Sequence, residues 1–352
     1  MQKPLKLLVS SLEPSANLHL EPILKKLKNY KLFGIFDEKF GKPYLPSSAF
    51  SIMGFLDVIP KIKKAKKAIK ELTRESFGVD KVLLIDSPAF NLPLAKAIKE
   101  KNPKVEIIYY ILPQVWAWKA KRVEKVEKYC DVLASVLPFE NQFYNRSTFV
   151  GHPLIDEIKE YKKEYKDTGI ISYLPGSRKS EIKKLMPIFK ELVKKVQKRA
   201  LLVIPPFFNN EQIEDIYGDI KEFEIVRDAR SAFLQSEFAF ICSGTATLEA
   251  ALIGTPFILA YKAKRFDYAL AKRFVKLKHV GLANILMDFS EKKALHVELL
   301  QDDVTSKNLY EEYEKIDKNE FFKESLHVRE ILQKGSLDNM LDIIIKKDME
   351  RR

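Results

Sequence analysis

Only two cysteines, Cys130 and Cys242, occur in 352 residues. They lie far apart without metal-ligand spacing, which argues against a disulfide scaffold or structural zinc site and for a reducing, cytoplasmic compartment. No apolar run approaches the roughly 18 to 20 residues of a membrane span. The N-terminal Leu5-Lys6-Leu7-Leu8-Val9 is too short for a secretory core and suits a first strand. There is no low-complexity tract and no repeat of solenoid length. Gly-x-x-x-x-Gly-Lys-Ser/Thr and Gly-x-Gly-x-x-Gly are both missing, so neither a P-loop nor a dinucleotide fingerprint is supported. Asp-x-Asp and His-Glu-x-x-His are missing too, and His19, His152, His279, His296 and His327 are scattered. The expectation is no metal and no cofactor.

What is present is globular: 46% hydrophobic and 31% charged residues, in a chain long enough for two domains. The net charge of +13 asks for an acidic partner, whether nucleic acid, an anionic membrane surface or a phosphorylated substrate. Much of the lysine lies on helix faces, where solubility alone accounts for it.

Nine short apolar runs alternate with helical patterns: Leu7–Val9, Leu32–Ile35, Val82–Ile85, Ile107–Ile111, Val132–Val136, Ile170–Leu174, Leu201–Ile204, Phe238–Cys242 and Phe257–Ala260. Such alternation predicts an α/β fold of parallel sheets. Gly151-His152-Pro153 and the charged stretch Asp156 to Lys166 divide the runs into two sets. Two Rossmann-like domains follow, 1–155 and 156–324, with ligand expected in a central cleft at the carboxyl ends of their strands. The tail helix, 325–352, carries Leu337, Met340, Leu341, Ile344 and Ile345 on one stripe and is expected to rejoin the first domain.

Four segments carry chemistry. In Ser243-Gly244-Thr245-Ala246-Thr247-Leu248-Glu249 a strand gives way at once to a helix. Free backbone N–H groups and the helix dipole there suit a phosphate, and Glu249 one turn in suits a ribose diol; an ordinary βα turn is the bland alternative. Leu174-Pro175-Gly176-Ser177-Arg178 opens another helix with an arginine where the dipole disfavours a cation, as for a pyrophosphate clamp, unless Arg178 is merely solvated. Asp86, after four apolar residues and before Ser87-Pro88-Ala89-Phe90-Asn91, is placed as a partly desolvated general base or, equally, as a brace of its loop. Both tryptophans lie in Pro113-Gln114-Val115-Trp116-Ala117-Trp118-Lys119, near Arg122. If extended, they face one side, with at least one in the core and the other lining a sugar or lipid site. A further stretch, Phe50 to Ile59 with Met53 and Phe55, leads into the lysine-rich Pro60 to Lys70, whose Ile62, Ala65, Ile69 and Leu72 form one apolar face. That pattern suits an anionic bilayer surface or a core helix with a solvated back.

Together these motifs resemble the lipid-A-disaccharide synthase family from about Leu7 to Gln301. The specific matches are Met53-Gly54, Ile85-Asp86-Ser87-Pro88 with Asn91, Pro113 to Trp118 with Lys121-Arg122-Val123, Leu137-Pro138-Phe139-Glu140, Gly151-His152-Pro153, Leu174 to Arg178 with Glu181, and Ser243 to Glu249, continued by Leu270-Ala271-Lys272-Arg273, Asn284 and Glu298-Leu299-Leu300-Gln301. The resemblance implies a GT-B glycosyltransferase: inverting, metal-independent and peripheral on the inner face of the inner membrane. It implies transfer from UDP-diacylglucosamine to diacylglucosamine 1-phosphate, with no nucleic acid as partner and a homodimer left open. Asp86 would be the base and Arg178 a required arginine. Gly176, Ser177, Ser243, Gly244, Thr245, Ala246, Glu249 and Asn284 would hold UDP. Glu13, Ser15, Asn17, Met53, Phe55, Asn91, Trp116 and Arg122 would hold the lipid acceptor. The chain departs from the family where Leu12-Glu13-Pro14-Ser15-Ala16-Asn17 replaces Gly-Glu-x-Ser-Gly-Asp, and at Ala89, which puts acceptor preference in doubt. The competing readings are a UDP-N-acetylglucosamine 2-epimerase, which needs no apolar groove, and a non-catalytic membrane-bound UDP-sugar binding module.

Overall fold

The computed structural model describes residues 3–51, 58–263 and 277–346. They form two compact units, Met1–Asp156 with Lys334–Arg352, and Glu157–Gln333.

The first unit is built on a seven-stranded sheet: β1 (Leu5–Ser10), β2 (Tyr30–Phe36), β3 (Leu45–Pro46), β4 (Lys81–Ile85), β5 (Glu106–Tyr110), β6 (Val132–Ser135) and β7 (Ser147–Phe149). Their spatial order is β3-β2-β1-β4-β5-β6-β7, and every pairing is parallel. The second unit has six strands: β8 (Ile170–Leu174), β9 (Arg199–Val203), β10 (Glu224–Val226), β11 (Phe238–Ile241), β12 (Phe257–Tyr261) and β13 (Val297–Leu300), in the order β10-β9-β8-β11-β12-β13. Again all pairings are parallel. Both orders are that of a Rossmann-like sheet, which reverses direction at one point, between β1 and β4 and between β8 and β11.

Central parallel strands are covered on both faces, so each carries a continuous apolar run. Every residue of β4 and β11 is buried. All nine predicted runs fall on strands; the four strands not foreseen, β3, β7, β10 and β13, are the four sheet edges. The helix Lys179–Val196 shows the complementary period, burying Ile182, Leu185, Met186, Phe189, Leu192 and Val193 against the second core.

The tail helix Ser336–Ile345 buries Met340, Leu341 and Ile344 in the first unit, while Ile345 stays exposed. Lys81, itself buried, donates to the carbonyls of Ile343 (3.0 Å) and Lys346 (2.7 Å), and Gly335 N donates to Asp156 (2.9 Å). The preceding helix, Lys318–Leu332, belongs to the second unit, where Phe321 meets Phe257 edge-on and Arg329 donates to the Leu252 carbonyl. Among the described residues no helix is long and apolar enough to cross a membrane.

Candidate active-site residues

In the first unit, Asp86 lies just past β4, beside the reversal point. Asp86 (φ 49°) and Ser87 (φ 45°) are both in the left-handed region, and at the end of the adjacent β5 the β-branched Ile111 is there too (φ 62°). Each such residue costs on the order of 1–3 kcal/mol, which surrounding contacts must hold in place. The contacts are visible. Asp86 N donates to the Tyr110 carbonyl (3.0 Å), and the Asp86 carbonyl accepts from the Tyr109 hydroxyl (2.7 Å) and from Asn91 Nδ2 (2.7 Å). Asn91 is fully buried; its Nδ2 also donates to the Ile85 carbonyl and its Oδ1 accepts from Ser10 Oγ (2.6 Å). Asn91 therefore fixes the Asp86 backbone, and the carboxylate is left as the presented group. Burial pushes the Asp86 carboxyl above its usual range, opposed by the Ser87 N–H and the charge of His19. That is how a base is made more basic without losing access to solvent.

The neighbouring loop after β1 splits the three residues expected there. Glu13, at the N-cap of Pro14–Lys26, and Ser15 are exposed. Asn17 is buried instead, with Nδ2 donating to the Ser11 and Glu13 carbonyls and Oδ1 accepting from Asp37 N, so it shapes the loop rather than facing outward.

The tryptophan segment is not extended but turned, with Ala117 N and Trp118 N both bonded to the Gln114 carbonyl. The two rings therefore part company. Trp116 is 8% exposed, edge-on to Phe139. Trp118, at 43% exposure, is flanked by Lys119 (4.2 Å) and Arg122 (5.0 Å) over its face. The exposed ring is thus Trp118, and Trp116, which the resemblance puts on the acceptor, packs inside. Arg122 also acts electrostatically on Tyr109, whose hydroxyl holds the Asp86 carbonyl. Met53 and Phe55 lie outside the described residues, as does Leu270-Ala271-Lys272-Arg273.

In the second unit two loops flank the reversal point between β8 and β11. Gly176 adopts φ 101°, and a Cβ there would stand 2.7 Å from Glu181 Oε2 and 3.2 Å from Cys242 Sγ, so only glycine fits. Arg178 sits at the N-cap of Lys179–Val196, not within its first turn. Its guanidinium is 77% exposed and is held by Glu181 (3.0 Å), itself 11% exposed, so the cation is aimed rather than loose. Ser177 lies in the same turn. The second loop, Ser243-Gly244, places Gly244 (φ 131°) at the N-cap of Thr245–Ile253 with no side chain capping it. Thr247 turns inward, its hydroxyl on the Gly244 carbonyl (2.8 Å). Thr245 is exposed and Ala246 half-buried, leaving the start of this helix available to an anion.

Glu249 is held by a residue not singled out in the sequence. Arg230 donates to Glu249 (2.9 Å) and to Glu157 (2.9 Å), while burial raises the Glu249 carboxyl against the pull of that arginine. Asn284 is fully buried. Its amide donates to the His296 carbonyl and Glu298, and accepts from His296 N, while Glu298 also takes the N–H groups of Val280 and Gly281. Asn284 is thus engaged within the fold with Glu298, and Arg230 and Tyr109 emerge only from three-dimensional neighbours.

Residues 7–340 match the family model described as Lipid-A-disaccharide synthetase. A lipid-A-disaccharide synthase of Campylobacter jejuni is 53% identical over 359 residues, covering 96% of this chain and 98% of that one. Another from Helicobacter pylori strain Shi470 is 48% identical, covering 94% and 95%. Among solved structures, the S. aureus MnaA–UDP co-structure aligns with TM-score 0.61 at 15% identity over 98% of this chain and 96% of that one. MurG from Acinetobacter baumannii aligns with TM-score 0.58 at 11% identity over 97% and 99%. These last two likenesses speak to the fold, a two-unit Rossmann-like architecture shared by glycosyltransferases and epimerases; the sequence matches decide between those activities. The chain belongs to the lipid-A-disaccharide synthase family of glycosyltransferases.

Proposed function

We propose that this glycosyltransferase joins 2,3-diacylglucosamine from its UDP conjugate to 2,3-diacylglucosamine 1-phosphate, forming the β-1,6-linked disaccharide 1-phosphate and UDP. The carrying observation, within this family, is Asp86: a half-buried carboxylate with its main chain pinned and its pKa raised. The acceptor hydroxyl oxygen attacks the donor anomeric carbon, the bond from that carbon to the UDP oxygen breaks, and Asp86 takes the hydroxyl proton. Attack opposite the departing UDP inverts the anomeric centre. The departing diphosphate is received by the N–H groups at Thr245 and Ala246, with Gly176 and Ser177 allowing close approach and Arg178 supplying a planar cation. Glu249 is assigned to the ribose. Arg122 and Trp118, with Glu13 and Ser15, are assigned to the phosphorylated acceptor.

Metal independence is part of this reading, supported by a helix start able to take the charge that a cation would otherwise take. The half-exposed Ile62 and the outward Lys63, Lys66, Lys67 and Lys70 support a peripheral association with an anionic inner-membrane surface. The deciding assay is UDP release from UDP-diacylglucosamine with and without the acylated monosaccharide phosphate, repeated in EDTA. Acceptor-dependent release unaffected by EDTA is expected. Release without acceptor at the same rate would remove the transferase reading, and a loss restored by magnesium would remove metal independence.

A further inference from the structure

Glu140 is 1% exposed, in the short 3-10 turn Pro138–Gln142 that follows β6. Its Oε2 accepts from Leu137 N (3.3 Å), closing its own turn, and its Oε1 accepts from Trp116 Nε1 (3.4 Å), reaching across to the loop that follows β5. Two further contacts join the same pair of segments: the edge-on packing of Trp116 on Phe139 at 5.3 Å, and the Tyr144 hydroxyl on the Pro113 carbonyl at 2.8 Å. The loop so held, Pro113 to Arg122, carries Trp118, Lys119 and Arg122 at its far end. A buried carboxyl is a costly choice for packing alone, and among the described residues no Lys, Arg or His pairs with it.

We propose that Glu140 is a positioning residue of the transfer reaction, a strap that holds the Pro113–Arg122 loop so that Trp118, Lys119 and Arg122 meet the phosphate-bearing sugar of the acceptor. This rests on the assignment of that cluster to the acceptor. Burial pushes the Glu140 carboxyl up to about 8, so below that pH the strap is a neutral carboxylic acid. Above it, a carboxylate without a cationic partner is drawn towards water and the loop loosens. Among the described residues the ionisable group facing it is Tyr144, with Arg122, Cys130 and Glu127 beside Tyr144 in turn. Burial drives the Tyr144 phenol upward and the Cys130 thiol to about 12, away from this range.

The test exploits the placement of both tryptophans of the chain in this loop. Intrinsic fluorescence of the wild-type protein without substrate should titrate with a midpoint near 8, and that transition should vanish in E140Q. In steady-state assays near neutral pH, E140A should raise the KM for the acylated sugar phosphate about five- to tenfold, the worth of one lost hydrogen bond, with the KM for the UDP-sugar unmoved. E140Q, which keeps an acceptor oxygen for Trp116, should restore the acceptor KM. If E140A does not fold, the acceptor KM of wild type should still climb through the fluorescence midpoint while that of E140Q stays flat. An absent fluorescence transition, or one retained in E140Q, would overturn the strap; equal changes in both KM values would overturn its link to the acceptor. Failure of acceptor-dependent UDP release in the wild type is a separate result, against the acceptor assignment itself.

Discussion

At the scale of single residues, Asp86 combines a sequence signal with a structural one that the sequence does not contain. A carboxylate after four apolar residues announces a strand end, but the left-handed pair Asp86-Ser87 and the Tyr109 and Asn91 bonds that hold it are made by other strands and helices. D86N should keep the fold and lower turnover by about 10² to 10⁴, the usual contribution of a positioned base. Because burial raises the folded-state pKa and the base works ionised, wild-type kcat/KM should fall as pH drops through a value above the ordinary 3.8. Near-normal turnover in folded D86N would take Asp86 out of the mechanism. Among the described residues Arg178 has a single charged anchor, Glu181, and projects outward as a fork. R178K should lose roughly 10- to 100-fold in kcat/KM, the value of one or two charge-assisted hydrogen bonds, and a mild effect would mean that point charge suffices. Asn17, Asn91, Asn284 and Trp116, which the resemblance puts on ligands, are each buried among bonds within their own unit.

Elements show the same division between what is local and what is not. The nine strands legible in the sequence have neighbours on both sides, which leaves a continuous apolar run in each. The four that escaped are edges of two to four residues, partly exposed, with patterns such as Glu224-Ile225-Val226 that no apolar run marks. The helix Val58–Glu75 illustrates a face read nearly right: Ala68 and Leu72 are buried and Ala65 and Ile69 pack beside them, but Ile62 is 50% exposed. Among the glycine loops, Gly176 gives the sharpest test. Gly176→Ala would put a Cβ into Glu181 at a φ that disfavours any side chain, dislodging the anchor of Arg178. A cost of about 1 to 3 kcal/mol in stability is expected, together with weaker UDP binding by calorimetry and an unchanged KM for acceptor. Normal UDP affinity in this variant would separate the loop from the nucleotide.

At the scale of the whole molecule, the +13 charge must be reconciled with ion pairs that are mostly solvent-exposed and worth little individually. Much of the excess is therefore free to act at a distance, and the helix Val58–Glu75 concentrates it: Lys63, Lys66, Lys67 and Lys70 are exposed beside Ile62, whereas Lys64 is half-buried and donates to the Ala49 carbonyl. Replacing the four outward lysines by Gln should spare the core contacts of Ala68 and Leu72 and keep helix propensity. Each lysine near an anionic surface is worth about 1 kcal/mol, and the attraction fades over a Debye length of about 10 Å at ~0.1 M salt. Wild-type protein should sediment with phosphatidylglycerol vesicles at low salt and release as salt rises, while the four-lysine variant should bind far more weakly at every salt concentration. Turnover on detergent-dispersed acceptor should be the same for both, because none of the four side chains belongs to the assigned sites. Equal sedimentation of the two proteins, insensitive to salt, would mean that this helix carries its lysines for solubility and that the membrane is met elsewhere.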